Sequence, residues 1–370
     1  MNIGILCYPT SGGSGVLASE LGAALASRGH DVHLLSYRRP FRMQPMPDRF
    51  HYHEISVPKY PLFEFPSYGM AAACRVADVA RDANLQVVHA HYAFPHGVSA
   101  HLAKEIVAPD PRTLRSVTTL HGTDVLLVEE DAALNCITKL GITRSDAVTS
   151  VSDALRRRTL AWFGLTSPID VIPNFVDTTR FQPAARDGGE RVIVHVSNFR
   201  PVKRSADAVR AFYLVRKKTK AKLWMVGTGP DAEAVRVMTE KLGIDDDVAW
   251  LGEERAIHEI LPHADVMLST SQFEGFGLAA LEAMACGVPV VATEAGGITE
   301  LVDDGVTGHL VPVGDVQAMA ERSLQLFEAS SARDASRQRA VDRFDTSKIV
   351  PHYEALYERV ISTQRMADHA

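Results

Sequence analysis

Two carboxylates set the first chemical question. Glu274 and Glu282 stand eight residues apart in a run that reads Ser271-Gln272-Phe273-Glu274-Gly275-Phe276-Gly277-Leu278 and continues through Ala285-Cys286-Gly287-Val288-Pro289. A retaining glycosidase would need its two carboxyl groups about 5–5.5 Å apart. Eight residues of helix span roughly 12 Å, so the spacing favours separate duties. A carboxylate can accept hydrogen bonds from two vicinal hydroxyls, as in ribose recognition. Glu282, one turn inside a helix, suits a ribose, and Glu274, on the glycine turn, suits a sugar. Gly275 and Gly277 let backbone N–H groups come close to a ligand, and the helix start that follows, at Leu278, favours diphosphate charge.

The cations for such a diphosphate lie in Val196-Ser197-Asn198-Phe199-Arg200-Pro201-Val202-Lys203-Arg204. Three positive side chains just after a strand can meet a pyrophosphate and stabilise it as it leaves, without a metal. In the first half, Pro9-Thr10-Ser11-Gly12-Gly13-Ser14-Gly15-Val16 is not a dinucleotide fingerprint. It still offers N–H donors around Gly13 and the Ser14 hydroxyl to an anion. His89-Ala90-His91-Tyr92 and Thr118-Thr119-Leu120-His121-Gly122-Thr123-Asp124 both close strands. His89 and His91 lack nearby carboxylates, which argues against a metal site there. Asp245-Asp246-Asp247 contains DxD, a pattern that can hold a divalent metal, but its place before a strand reads as a solvated loop.

These segments need strands to carry them. Apolar runs at 3–7, 32–36, 87–91, 116–120 and 147–151, separated by helical stretches such as 16–27, argue for a parallel sheet covered on both faces. The segment 172–189, with Pro173, Pro183 and Gly188-Gly189, reads as a linker. Strands then recur at 192–196, 222–226, 248–251, 266–269, 288–292 and 309–311, with helices at 277–285 and 315–328. The expected division is a Rossmann-like domain over 1–175 and a second over 190–345. A terminal helix near 349–370 is expected to pack back on the first. Ligands of such folds bind outside the C-terminal ends of the strands.

Composition narrows the class. A net charge of −6 leaves no global basic field for nucleic acid or an anionic membrane. No apolar run approaches the roughly 18 residues that span a bilayer. Four scattered cysteines, without a CxxC pair, suit reduced thiols. With no leader-like opening after Met1-Asn2, a cytoplasmic protein is expected.

Taken together, the glutamate motif, the Ser197–Arg204 cluster and the Thr119–Asp124 segment resemble the family 4 retaining glycosyltransferases of the GT-B fold. The resemblance covers nearly the whole chain. It implies an α/β architecture of two Rossmann-like domains facing across a cleft, in which the leaving phosphate takes the acceptor proton and no protein nucleophile or metal cofactor is needed. By position it makes Lys203 and Arg200 diphosphate ligands, Glu282 the ribose ligand and Glu274 the sugar ligand. It also makes His121 a residue of the donor sugar. One departure stands out: Asn198 occupies a place usually held by Arg, so Arg200 would have to substitute. The wording of 9–16, 89–97, 119–124, 134–139 and 197–204 is similar to members that use UDP-N-acetylglucosamine as donor and L-malate as acceptor, opening bacillithiol synthesis. Malate is a dianion, and Arg144, Tyr92, Thr119 and Ser14 are the candidates to hold it. An inositol phosphate acceptor, and a UDP-N-acetylglucosamine epimerase or hydrolase, are the alternatives. Homo-oligomerisation is a family-level expectation.

Overall fold

A computed structural model describes residues 1–10, 12–42, 47–57, 67–108, 114–185 and 189–367. Ser11 of the first glycine loop and Gly188 of the expected linker lie outside these. The chain divides into two units, Met1–Pro173 with Ile349–Ala370, and Asn174–Lys348.

The first unit runs β1 (Asn2–Leu6), α1 (Gly13–Ser27), β2 (Asp31–Ser36), β3 (Phe50–Glu54), α2 (Tyr68–Asp82) and β4 (Val87–His91). It continues with α3 (Val98–Val107), β5 (Arg115–Leu120), α4 (Thr123–Glu130), α5 (Ala132–Thr143), β6 (Ala147–Ser150), α6 (Asp153–Phe163) and β7 (Asp170–Val171). The strands form one sheet of order β3-β2-β1-β4-β5-β6-β7, parallel throughout. Ile3, Ile5 and Leu6 are wholly buried on both faces of β1, as strands covered by helices on both sides must be. Helix ends carry their own stop signals. Ser152 caps α6 through the Leu155 N–H, and Gly164 closes it at φ +59°.

The second unit holds β8 (Arg191–Val196), α7 (Ser205–Arg216), β9 (Ala221–Val226), α8 (Ala232–Leu242), β10 (Val248–Gly252) and α9 (Ile257–Ile260). It continues with β11 (Val266–Ser269), α10 (Leu278–Ala285), β12 (Val290–Thr293), α11 (Ile298–Leu301), β13 (Gly308–Val311), α12 (Val316–Leu326) and α13 (Ser330–Phe344). Its parallel sheet has the order β10-β9-β8-β11-β12-β13. In both sheets the order reverses beside the first strand, between β1 and β4 and between β8 and β11. Those two crevices are where a doubly wound sheet receives ligands.

The segment expected to be a linker belongs to the second unit. Phe175, Val176 and Phe181 are about 1% exposed. The Val176 N–H donates to Phe344 O, and Arg337 on α13 donates to the carbonyls of Thr178, Phe181 and Ala285. Prolines give the segment a linker's composition, but its three large apolar side chains are packed.

The last helix, α14 (Thr346–Ala367), starts in the second unit and ends in the first. Tyr353 and Tyr357 are completely buried, and the Tyr357 hydroxyl shares a 2.7 Å hydrogen bond with Nδ1 of His89. Arg28 meets Glu354 through two hydrogen bonds of 2.8 and 2.7 Å. Burying each ring contributes roughly 1.5–3 kcal/mol.

Candidate functional site

In the second unit, the loop after β8 and the turn after β11 are stitched together at the sheet's reversal. The Gln272 N–H donates to Val202 O at 2.7 Å, and the Thr270 hydroxyl donates to Lys203 O at 2.7 Å. Two non-glycine residues of the first loop, Phe199 (φ +39°) and Arg204 (φ +48°), adopt left-handed backbone, a strained state kept where surroundings enforce it. Beneath them pass Gly227 and Gly229, where a Cβ would come within 1.9 Å of the carbonyls of Ser197 and Asn198. Only glycine fits there. The Gly227-Thr228-Gly229 signal was present in the sequence and escaped notice.

This framework brings Lys203 and Glu274 into one ion pair, Nζ to Oε2, at 2.6 Å. Ser271, a residue the sequence reading gave no role, donates its hydroxyl to the same Oε2 at 3.0 Å. The backbone of Glu274 is clamped as well, donating to Ala295 O and accepting from the Gly297 N–H. Gly296, at φ +81°, lets this happen, since a Cβ would sit 2.4 Å from Glu274 O. Gly277 (φ +100°) precedes α10 with no side-chain cap, so the helix start of Leu278 keeps its dipole for an incoming anion. Glu282 lies one turn further on, 2% exposed. Asn198 Oδ1 and Arg200 Nε are buried without a hydrogen-bond partner among the described residues. Polar atoms stranded beside a cation are what an unfilled polar-ligand site leaves.

Phe276, expected with its glycine neighbours to meet the donor, has a ring that is 3% exposed and packs edge-on against Phe344 at 5.5 Å, so only its backbone could do so. The Asp245–Asp247 run is structural. Asp247 receives Lys222 at 2.8 Å and Arg216 at 2.6 Å, and the Lys222 hydrogen bond leads in holding its carboxyl below the usual range.

In the first unit, the Ser14 hydroxyl, in the first turn of α1, shares a 2.6 Å hydrogen bond with the Tyr92 hydroxyl beyond β4. Gly12 and Gly13 open α1 with no side-chain cap. Tyr92 stands at φ +86°, a rare state for an aromatic residue, and its ring meets that of His121 edge-on at 5.2 Å. Asp124 explains how the two chain ends are held. Its carboxylate accepts the N–H groups of His121, Gly122 and Ala93. Burial pushes its pKa up to about 6, against the pull of those N–H groups.

His121 Nε2 and His91 Nδ1 share a 2.9 Å hydrogen bond. His91 Nε2 is buried with no hydrogen-bond partner among the described residues. Were His91 protonated there, an unmatched donor would be buried, which costs more than an unmatched lone pair. His91 therefore carries its proton on Nδ1 and donates, and His121 is left with its own proton on Nδ1. Burial pushes the His121 pKa down to about 3, so the ring is a neutral donor throughout the ordinary pH range.

Two acceptor candidates are not where they were expected. Thr119 is wholly buried, and its hydroxyl is shared by His89 Nε2 and Thr149 Oγ1, each at 2.6 Å. It is a sheet-interior contact. Arg144 closes α5, and the neighbouring Asp146 N–H bonds Ser116 O near the start of β5. That is the N-terminal edge of the sheet, whereas Tyr92 and His121 follow the C-terminal ends of β4 and β5. Nor does Arg144 serve Asp146, which pairs with Lys104 at 2.6 Å and Arg115 at 3.0 Å. Arg144→Ala is accordingly expected to leave the acceptor's Michaelis constant within twofold of the parent value in steady-state assays.

His89 is no metal ligand, since both ring nitrogens are engaged, with Thr119 and Tyr357. Among the described residues, the one group with metal-ligand chemistry is Asp31, His33 and His51, on β2 and β3, whereas Tyr92 and His121 follow β4 and β5. Also among them, no helix is long and apolar enough to cross a membrane.

Comparison with known proteins matches residues 11–180 to the family model described as Glycosyltransferase Family 4, and residues 176–343 to Glycosyl transferases group 1. Along 98% of its length the chain is 38% identical to the N-acetyl-alpha-D-glucosaminyl L-malate synthase of Bacillus anthracis, covering 97% of that protein. Among solved structures it is similar to a sucrose-phosphate synthase from Thermosynechococcus elongatus, with TM-score 0.83 and 20% identity over 98% of this chain and 100% of that one. It is also similar to Anabaena HepE in complex with UDP and glucose, with TM-score 0.81 and 20% identity over 97% and 99%. These likenesses establish the GT-B fold.

Proposed function

The chain belongs to the family 4 glycosyltransferases, and from that premise we propose that it moves N-acetylglucosamine from UDP-N-acetylglucosamine to L-malate, with retention at the anomeric carbon. The end-to-end likeness to the Bacillus anthracis synthase carries this reading.

The chemistry is the one the family resemblance implies. The bond between the anomeric carbon and the β-phosphate oxygen breaks, and the malate hydroxyl oxygen bonds to that carbon on the same face. The hydroxyl proton passes to the departing phosphate oxygen. Negative charge grows on the diphosphate, so the groups that matter are those already oriented towards it. In this reading Lys203, Arg200 and the start of α10 receive that charge. Glu282 holds the ribose, and Glu274, oriented by Ser271 and Lys203, holds sugar hydroxyls. The neutral Nδ1–H of His121 donates to the sugar. Ser14, Tyr92 and the opening of α1 around Gly13 offer donors to the malate carboxylates. No divalent metal takes part in these steps.

His91 is a positioning residue here, because it acts through His121. His91→Ala is expected to lower kcat about tenfold with UDP affinity unchanged, as for other donors that fix a partner's tautomer. His91→Asn keeps an N–H near Nδ1 and should recover much of the loss. Equal damage from both variants would make His91 merely a packing residue.

The deciding assay follows UDP release and product mass from UDP-N-acetylglucosamine, with and without L-malate, in the presence of a chelator. Malate-dependent release and a glucosaminyl-malate mass are expected. Release without malate would overturn the reading in favour of hydrolysis or epimerisation, and loss of release in the chelator would overturn the metal-free step.

A further inference from the structure

Strands β2 and β3 place an unusual set of side chains on one face of the first sheet. In their parallel register His33 lies beside His51. Asp31 precedes His33 by two residues and His53 follows His51 by two, so strand alternation puts all four on the same side. The rings of His33 and His51 stack at 4.8 Å, and those of His33 and His53 at 5.1 Å. His51 Nε2 lies 2.8 Å from Asp31 Oδ1. His33 Nδ1 shares a 2.9 Å hydrogen bond with His53 Nε2, which leaves Nε2 as the open nitrogen of His33.

One donor atom each from Asp31, His33 and His51 lies within 4.8 Å of the others. Ligand atoms on one tetrahedral zinc stand about 3.3 Å apart, given metal–ligand distances of about 2.0–2.1 Å. The set must therefore contract by an ångström or so, and His51, 45% exposed at its side chain, can swing to do it. Its exposure also gives the ion a way in, while His33, 8% exposed, is fixed. Arg49, 3.3 Å from Asp31, stands in as counter-charge and is exposed enough to withdraw.

We propose that Asp31, His33 and His51, with His53 orienting His33, bind a zinc-class divalent transition metal that clamps the edge strand β3 to β2. Two imidazoles and a carboxylate favour zinc or cobalt over magnesium or calcium. The cluster sits towards the N-terminal halves of its strands, so the ion is structural and does not depend on the transfer reaction.

The test is calorimetric titration of the chelator-treated full-length protein with zinc chloride, alongside thermal unfolding and cobalt absorption. About one equivalent should bind and raise the unfolding midpoint, with cobalt giving visible bands. His51→Ala, at an exposed position, and Asp31→Asn, at a half-buried one, should each weaken zinc binding at least tenfold and abolish the midpoint shift, with transferase activity unchanged. Absence of zinc binding would overturn the proposal. So would binding that both variants leave intact, which would point to thiols such as the exposed Cys74 and Cys136.

Discussion

Lys203→Ala should cut kcat by about 10²–10³ while the dissociation constant for UDP rises only a few-fold, by analogy with removal of one preorganised donor to developing charge. The argument rests on what Lys203 does at rest. Its ammonium is 2.6 Å from Glu274 Oε2, so part of its charge is already balanced before a donor binds. Ground-state diphosphate gains little from it, and the full gain comes as the diphosphate accumulates charge on leaving. The variant also leaves Glu274 a half-buried carboxylate without its cation, with the Ser271 hydroxyl still donating to it. A double variant with Glu274→Ala separates the two effects, because residues acting as one unit lose less together than the sum of their single losses. Stopped-flow measurement of the chemical step, with UDP binding by calorimetry, gives both numbers. A rise in donor Michaelis constant alone, with kcat preserved, would remove Lys203 from the catalytic step.

The second large effect concerns Glu282. Glu282→Ala is expected to weaken UDP about 10²-fold, since two charge-assisted hydrogen bonds to ribose hydroxyls are lost, each worth ~1.5–3 kcal/mol. The side chain is 2% exposed within α10, so part of any loss could come from repacking. Glu282→Gln, of similar volume, controls for this. A sharper control changes the ligand: the parent enzyme should distinguish UDP from 2′-deoxy-UDP by tenfold or more, and Glu282→Ala should not distinguish them at all. Preserved discrimination in the variant would place the ribose elsewhere.

Much of this molecule could be read from residue types, and particular residues show why the rest could not. The strands from Val87 to His91 and from Val266 to Ser269 appear where expected because buried parallel strands are built on runs of apolar residues such as Val87-Val88 and Val266-Met267-Leu268. The strand Phe50–Glu54 was not anticipated. It is an edge strand of sequence FHYHE, with half its length facing water and no apolar run to reveal it. The metal-type cluster was invisible for the same reason, since His51 and His53 acquire meaning only beside Asp31 and His33.

Lys203 and Glu274 were singled out as chemical groups from separate motifs, but 71 residues separate them and nothing in the sequence says they touch. Arg144 failed in the opposite way. Its chemistry suited a dianion, and only the path of α5 back across the sheet reveals that it stands at the wrong end. Thr119 failed through strand alternation. One residue decides whether a hydroxyl faces a crevice or the sheet interior, and here two neighbours already claim it.

The return of α14 to the first unit has a consequence for how the protein comes into being. Tyr353 and Tyr357 fill the first unit's interior, and Tyr357 completes the hydrogen bonding of His89, yet both are synthesised after the whole of the second unit. The second unit, an unbroken stretch from Asn174 to Lys348, can close around its core while the tail is still inside the exit tunnel. The usual order of N-terminal domain first is therefore expected to reverse. A nascent chain stalled before Ile349 should carry a protease-resistant second unit behind a first unit that is still open.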